Sequence, residues 1–347
     1  MRKLLLSTTA LAAAATLSAN TVLADVAITG GMEWTYESRD PGTTTTGASN
    51  DDFSSDTNIK MTFTNKTDSG LEIGLVYDME SLGDDDANNN GADENYMYFK
   101  GGFGTIMLGQ NDGAGDQLTR TASDLAGPDA LSDNGSGMTG AGNLADDNAD
   151  LVNDIGDENN ITYIMPAIGG LTLGASYKDA GDDAAANADE TVFAAKYEFT
   201  SGAVKGSIHY GNNSIGGANA GDGSTNSTSM GIDVSSGPFR AVIAKAESDV
   251  STTVTTEITD YGIQYNMGNG ITLAAVGTQV EENTGGESSD ITTVSVKYNI
   301  ASGLDAYLTY HDYDYEDGTT ATTADDDGSV TLITMKEIGR ASCRERV

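Results

Sequence analysis

Two histidines, His209 and His311, are the only imidazoles in the chain. His209 follows Ser207 by two residues and Lys205 by four, so on a β-strand all three share one face. A Ser–His pair can support nucleophilic hydrolysis, but it needs a third group to orient the base. The stretch VKGSIHYG supplies none. No zinc-ligand spacing, phosphate-binding loop or triad signature occurs elsewhere, so no enzyme is expected. Carboxylates dominate instead: 53 Asp and Glu against 17 Lys and Arg, a net charge of -36. The runs Asp84-Asp85-Asp86, Asp146-Asp147 and Asp325-Asp326-Asp327 carry the oxygen ligands Ca²⁺ prefers, but none has the spacing of a dedicated calcium loop. Diffuse counter-ion binding is the plainer expectation, and no organic cofactor is implied.

The densest polar stretch runs from Asn111 to Asn159. It is rich in Gly, Asp and Asn and has no sustained apolar period. An irregular segment of this length inside a compact domain is either functional or disordered. It lies between two strand candidates, Thr105–Gln110 and Asn160–Pro166. The acidic excess also excludes nucleic acid as a partner, because phosphate contacts need Lys and Arg. High charge often signals disorder. Here, however, the apolar residues come in short alternating blocks and the acids cluster between them, which is the pattern of an ordered β protein with acidic loops.

The chain opens MRKLLLSTTALAAAATLSANTVLA. A basic start, an apolar run and small residues at the end read as a secretory signal over residues 1–24. No other segment approaches the ~20 apolar residues of a helical membrane span. The last stretch, EIGRASCRERV, holds the only cysteine and interrupts the alternation of SVTLITMK. It is similar to the translation of a common sequencing-adapter DNA. Residues 337–347 are therefore read as a non-native tail replacing the true C-terminus, and Cys343 carries no function.

Between these ends, residues 25–336 read as one domain. In DVAITGGMEWTYE, Val26, Ile28, Met32, Trp34 and Tyr36 share one face. In NIKMTFTNK, Ile59, Met61 and Phe63 oppose Lys60, Thr62, Thr64 and Lys66. In LEIGLVYD, Leu71, Ile73, Leu75 and Tyr77 oppose Glu72, Gly74, Val76 and Asp78. The same kind of segment recurs through NYMYFK, TIMLGQ, LTLGASYK, TVFAAKYEF, STSMGIDV, FRAVIAKAE, ITLAAVGTQV, TTVSVKYNI and LDAYLTYHDYDY. About sixteen strands result, mostly eight to ten residues long, the length a tilted membrane strand needs.

The connections alternate strictly between long acidic loops and short Gly, Ser and Asn turns. A transmembrane barrel sorts its connections this way, with short turns on the periplasmic side and long loops outside. An even strand count also returns both termini to the short-turn side. Alternation alone does not say which face is inside. Strand number does, because a barrel this wide cannot be filled by side chains and holds an aqueous lumen. The apolar face therefore meets lipid and the polar face meets water. The expected fold is all-β, a transmembrane antiparallel barrel with the long third external loop folded into its lumen.

The stretches GGFGTIMLGQNDGAGD and ENNITYIMPAIGGLTLGASYKD resemble the segments flanking the third external loop of general porins of Gram-negative outer membranes, in particular those of purple and related bacteria. The resemblance covers Asp25 to about Lys336 and rests on organisation and these two stretches. It implies a homotrimer of sixteen-stranded barrels, set in outer-membrane lipid and lipopolysaccharide, passing small hydrophilic solutes and cations. It also implies a C-terminal aromatic residue, which this chain lacks.

In that family the first half of the inward loop runs along the constriction. The resemblance thus points to Asp112, Asp116, Asp124 and Asp129 as the acidic side. The basic candidates are Lys60 on the polar face of its strand, Lys100 near the strand before the loop, and Arg120 on the loop itself. Rings of carboxylates favour cations, so the expected activity is passive, cation-preferring diffusion. A substrate-specific channel would read much the same. A non-conducting surface protein, an adhesin or layer component, would show fixed-period repeats, and none is present.

Overall fold

The computed structural model describes residues 25–40, 51–82, 90–127, 155, 159–179, 189–216, 225–249, 255–283, 286–316 and 326–343. Sixteen antiparallel strands close into one barrel. In order they are β1 (Asp25–Asp40), β2 (Asp51–Lys66), β3 (Glu72–Leu82), β4 (Asn90–Gly101) and β5 (Gly104–Gln110). After a short helix, α1 (Ala114–Leu118), and a single 3-10 turn (Ser123–Leu125) come β6 (Asn159–Ile164), β7 (Leu171–Lys178), β8 (Glu190–Ser201) and β9 (Val204–Ile215). The rest are β10 (Thr225–Ser236), β11 (Phe239–Asp249), β12 (Thr255–Gly268), β13 (Ile271–Glu282), β14 (Ser288–Ala301), β15 (Leu304–Glu316) and β16 (Asp326–Cys343). Each strand pairs with its sequence neighbours, and β1 pairs with β16 to seal the wall, as in Trp34 opposite Met335. Closure removes the unpaired edges that hydrocarbon would not tolerate.

The facing pattern follows the alternation in the sequence. Met32, Ile59, Leu75, Ile161, Ile208, Ile243, Val294 and Leu308 point outward and are exposed. Their neighbours Glu33, Asp78, Thr162, His209, Thr293 and Thr309 point inward and are buried. Exposed outward aromatics include Trp34, Tyr197, Tyr210, Tyr261 and Tyr310, with Phe239, Tyr265 and Tyr298 nearer the turn ends. Aromatic side chains are favoured on the outer face of a membrane barrel near its interfaces. Near the loop side, Phe53 stacks on Trp34 at 5.6 Å between ring centroids.

Strand lengths differ from the expected eight to ten residues. β1 and β2 have 16 each, and β2 begins at Asp51 rather than at Asn58. The backbone ladder continues through polar residues beyond the lipid belt, where hydropathy gives no signal. At the other extreme β5 has 7 residues and β6 only 6. β6 ends at Ile164, two residues before Pro166, which has no N–H to donate to the ladder. β5 stops at Gln110 opposite Asn95, although β4 runs on to Asn90. The long loop therefore leaves the wall below the rim.

β16 runs on past Lys336, the expected end of the domain, to Cys343. Its facing pattern reverses there. Glu337 falls on the lipid-side row opposite Met32, and Ile338 falls on the lumen-side row with its side chain exposed.

A second departure concerns the inner wall, which is not uniformly polar. Ala244, Ala246, Ile258, Val280, Ile291, Tyr313, Tyr315, Val330 and Leu332 form an inward-facing apolar cluster across β11, β12, β13, β14, β15 and β16. Two smaller apolar patches hold the loop.

Candidate functional site

Residues 111–127 cross the inner wall from β5 to β15. The crossing starts at a buried polar knot. Asn111 Nδ2 donates to Gly109 O at 3.0 Å and to Asn160 Oδ1 at 3.1 Å, and Asn160 Nδ2 donates back to Asn111 O. Thr162 Oγ1 donates to Asn160 Oδ1 at 2.8 Å and lies 2.7 Å from Ser176 Oγ, which accepts the Ala114 N–H at 2.8 Å. Burial makes these bonds directional constraints, because any of these groups left unpaired would cost its full desolvation.

α1 then docks on the wall. Ala114 and Leu118 pack with Ile155 against Val192 and Ala194 of β8, flanked by Ile164. Gly174 on β7 makes the space: a Cβ there would lie 2.9 Å from Ala114 Cβ and 3.0 Å from Leu118 Cδ1. Further on, Ala122, Leu125 and Ala126 pack on Val242 of β11 and on Ala274 and Val276 of β13. Gly262 on β12 opens the second seat, with a Cβ position 3.1 Å from Leu125 Cδ1. Asp260 Oδ2 accepts the Ala122 N–H at 2.9 Å, and Gln264 Nε2 donates to Leu125 O at 3.0 Å. The segment ends against β15. At Gly127 the backbone φ is 97°, and a Cβ would lie 2.6 Å from the Tyr307 ring, so the position requires glycine.

Asp260 is fully buried, so its loss can be tested without touching the lumen surface. Changing Asp260 to Ala removes the acceptor of a buried N–H, at a cost of about 1–3 kcal/mol. The expected result is noisier open-channel current in a planar bilayer, with the barrel's melting temperature little changed. A current trace as quiet as the parent protein's would show that this bond does not hold the loop.

The structure places the expected site residues unequally. Asp112 is half-buried at the loop root, within electrostatic reach of Tyr96 on β4. Asp116 in α1 and Asp124 in the 3-10 turn are exposed. Asp129 lies outside the described residues, as do Asp84, Asp85, Asp86, Asp146, Asp147 and Asp325. Among the described residues no cluster of His, Cys, Asp or Glu could hold a metal ion. Lys60 does face the lumen, but two wall carboxylates hold it: Asp78 at 3.1 Å and Glu94 by a direct hydrogen bond. Tyr96 stands within electrostatic reach of this group as well.

Lys100 sits at the turn end of β4, opposite Glu72, whereas Lys60 is level with Asp78 on the same neighbouring strand. Six residues of strand, roughly 20 Å, separate those levels. Arg120 turns back on the loop, donating to Thr119 O at 2.7 Å and Asp116 O at 3.4 Å. His209 is buried on the lumen face, and its ring fills the space that a side chain at Gly231 would occupy, 2.6 Å from the Cβ position.

A pair that the alternation did not single out stands beside the seat of Leu125. Arg240 of β11 is clamped by Asp233 of β10, with Nε to Oδ1 at 3.1 Å and Nη2 to Oδ2 at 2.8 Å. Asp124 is within electrostatic reach of this guanidinium. FRAVIAKAE is apolar on both faces, because Val242 serves the loop seat while Ile243 serves lipid, and that hides the inward parity of Arg240.

A closed barrel of this strand number, apolar outside and crossed inside by its own loop, is a transmembrane channel of the outer-membrane type. The family profile of Gram-negative porins matches residues 7–318, and the chain belongs to that family. The protein is thus an outer-membrane diffusion channel, and family and fold together point to transport rather than catalysis. Among solved structures the chain is similar to a mutant porin of Rhodopseudomonas blastica, at 15% identity and a TM-score of 0.66, covering 90% of this chain and 100% of that one. It is also similar to an anion-selective porin from Comamonas acidovorans, at 15% identity and a TM-score of 0.64, covering 91% and 100%. At such identities the likeness concerns the fold. No curated protein sequence matches the chain.

Proposed function

We propose that this porin is a homotrimeric, general diffusion pore for small hydrophilic solutes, that its narrowest part lies along residues 111–127, and that it passes cations in preference to anions. The observation that carries the sign is how the wall's bases are used. Lys60 is held by Asp78 and Glu94, Arg240 by Asp233, Lys178 by Glu190, Lys297 by Asp305 and Lys336 by Glu33. Each of these cations is offset by a carboxylate on its own or an adjacent strand. Asp112, Asp116 and Asp124 on the loop then add negative charge to a wall with little net positive charge of its own. A path lined this way concentrates cations. The fold does not decide the sign, since the Comamonas protein on the same fold is described as anion-selective.

The test is single-channel recording across a salt gradient, using the chain from Asp25. Ohmic steps with a reversal potential toward the potassium equilibrium value support the reading. A reversal potential on the chloride side keeps the pore but overturns the assigned selectivity. The trimer is read separately, as a band near three times the barrel's mass in unheated detergent gels that collapses on boiling.

A further inference from the structure

Resting on the channel reading, the geometry points to Arg240 as a specificity-determining cation of the pore and to Asp233 as the residue that positions and restrains it. Arg240 is the second residue of β11 and faces the lumen; its side chain retains 33% of its accessibility and that of Asp233 19%. The pair is therefore wet rather than part of the packed wall. Asp233 occupies one edge of the guanidinium through Nε and Nη2. An arginine carries five N–H donors in a fixed fork, and the edge bearing Nη1 makes no bond among the described residues.

The loop passes close to Arg240. Arg240 lies directly opposite Gln264 in the β11–β12 ladder, and Gln264 binds Leu125 O at 3.0 Å. Asp124 is the residue before Leu125, and it is exposed and within electrostatic reach of Arg240. An ion moving past this part of the loop thus passes near both a carboxylate and a partly neutralised guanidinium. Asp233 sets how much of the arginine's charge the ion feels. It does so by charge and by geometry, since a two-point clamp keeps the fork against the β10 side of the wall.

Two single substitutions must then act in opposite directions, which a purely structural role does not produce. Changing Arg240 to Gln removes the positive charge and is expected to raise the cation-to-anion permeability ratio about twofold. Changing Asp233 to Asn frees the guanidinium and is expected to lower the ratio by about the same factor. Changing Arg240 to Lys keeps the charge but loses the two-point clamp, so its ratio should stay well below that of R240Q.

Each variant is first shown to be folded by its heat-sensitive mobility in detergent gels and by its conductance. Its reversal potential is then measured in the same salt gradient. Opposite shifts from R240Q and D233N support the assignment, and no shift in either, or any other pattern of shifts, overturns it. If the parent pore itself prefers anions, the selectivity reading fails, but the signs of these two shifts still test Arg240 and Asp233.

Discussion

Replacing Leu118 and Leu125 together by Asp is expected to raise single-channel conductance about twofold, because the loop will leave the wall. The two leucines are the apolar anchors of residues 111–127, one in each seat, and each is almost fully buried. Burying a leucine contributes about 1.5–3 kcal/mol. The Asp260 bond to Ala122 adds roughly 1 kcal/mol more. A carboxylate forced into either apolar seat would cost several kcal/mol without a partner, so two of them outweigh what holds the segment down. The barrel ladders do not run through the loop, so the wall should remain closed.

The larger conducting cross-section should appear as bigger current steps and as faster uptake of solutes near the size limit in a liposome-swelling assay. The milder change of both leucines to alanine should give an intermediate result, since truncating a buried leucine costs about 2–5 kcal/mol but buries no charge. Unchanged conductance in an aspartate variant with an intact barrel would mean that the segment does not limit the current.

Neutralising the three described loop acids, as Asp112, Asp116 and Asp124 to Asn, is expected to cut the cation-to-anion permeability ratio about fivefold or more. One unit charge some 5 Å from the ion path is worth roughly 1 kcal/mol in a water-like medium. That changes local ion concentration by a factor of about four, in opposite senses for cations and anions. Screening over about 8–10 Å at physiological salt weakens the sum but leaves the near charges effective. The substitution preserves side-chain shape, so conductance in concentrated salt should stay within the parent range while selectivity in dilute salt falls. A ratio that survives the triple change would transfer the selectivity to other carboxylates, such as Asp78 and Glu94 around Lys60.

Much of the architecture was legible in the order of residues. Val26, Ile28, Met32, Trp34 and Tyr36 alternate with polar partners, and every one of them points as the period of two requires. Lys60 and Asp78 fall on the same lumen side, as their rows demanded, although their direct contact was not foreseen. The alternation fades where one inner face must also receive the loop. In TVFAAKYEF, Val192 and Ala194 face inward because α1 lies on them. In ITLAAVGTQV, Ala274 and Val276 do the same for Leu125. With both faces apolar, a period of two loses its contrast, and the orientation of residues such as Arg240 is lost with it.

The sequence by itself determined the class of protein: an exported chain, a wide barrel from strand number, acidic outer loops from composition, and the one long connection that departs from the rest. These are local properties, fixed by spacing along the chain and by the need to satisfy the backbone in lipid. Only the tertiary structure decided which wall residues meet the loop. Ala122 bonds to Asp260 across 138 positions, and Leu125 to Gln264 across 139. Such pairs are set by the closure of β1 on β16, by the stagger of the ladders and by the height at which β5 stops. No local pattern encodes these, because each depends on every strand between the two partners.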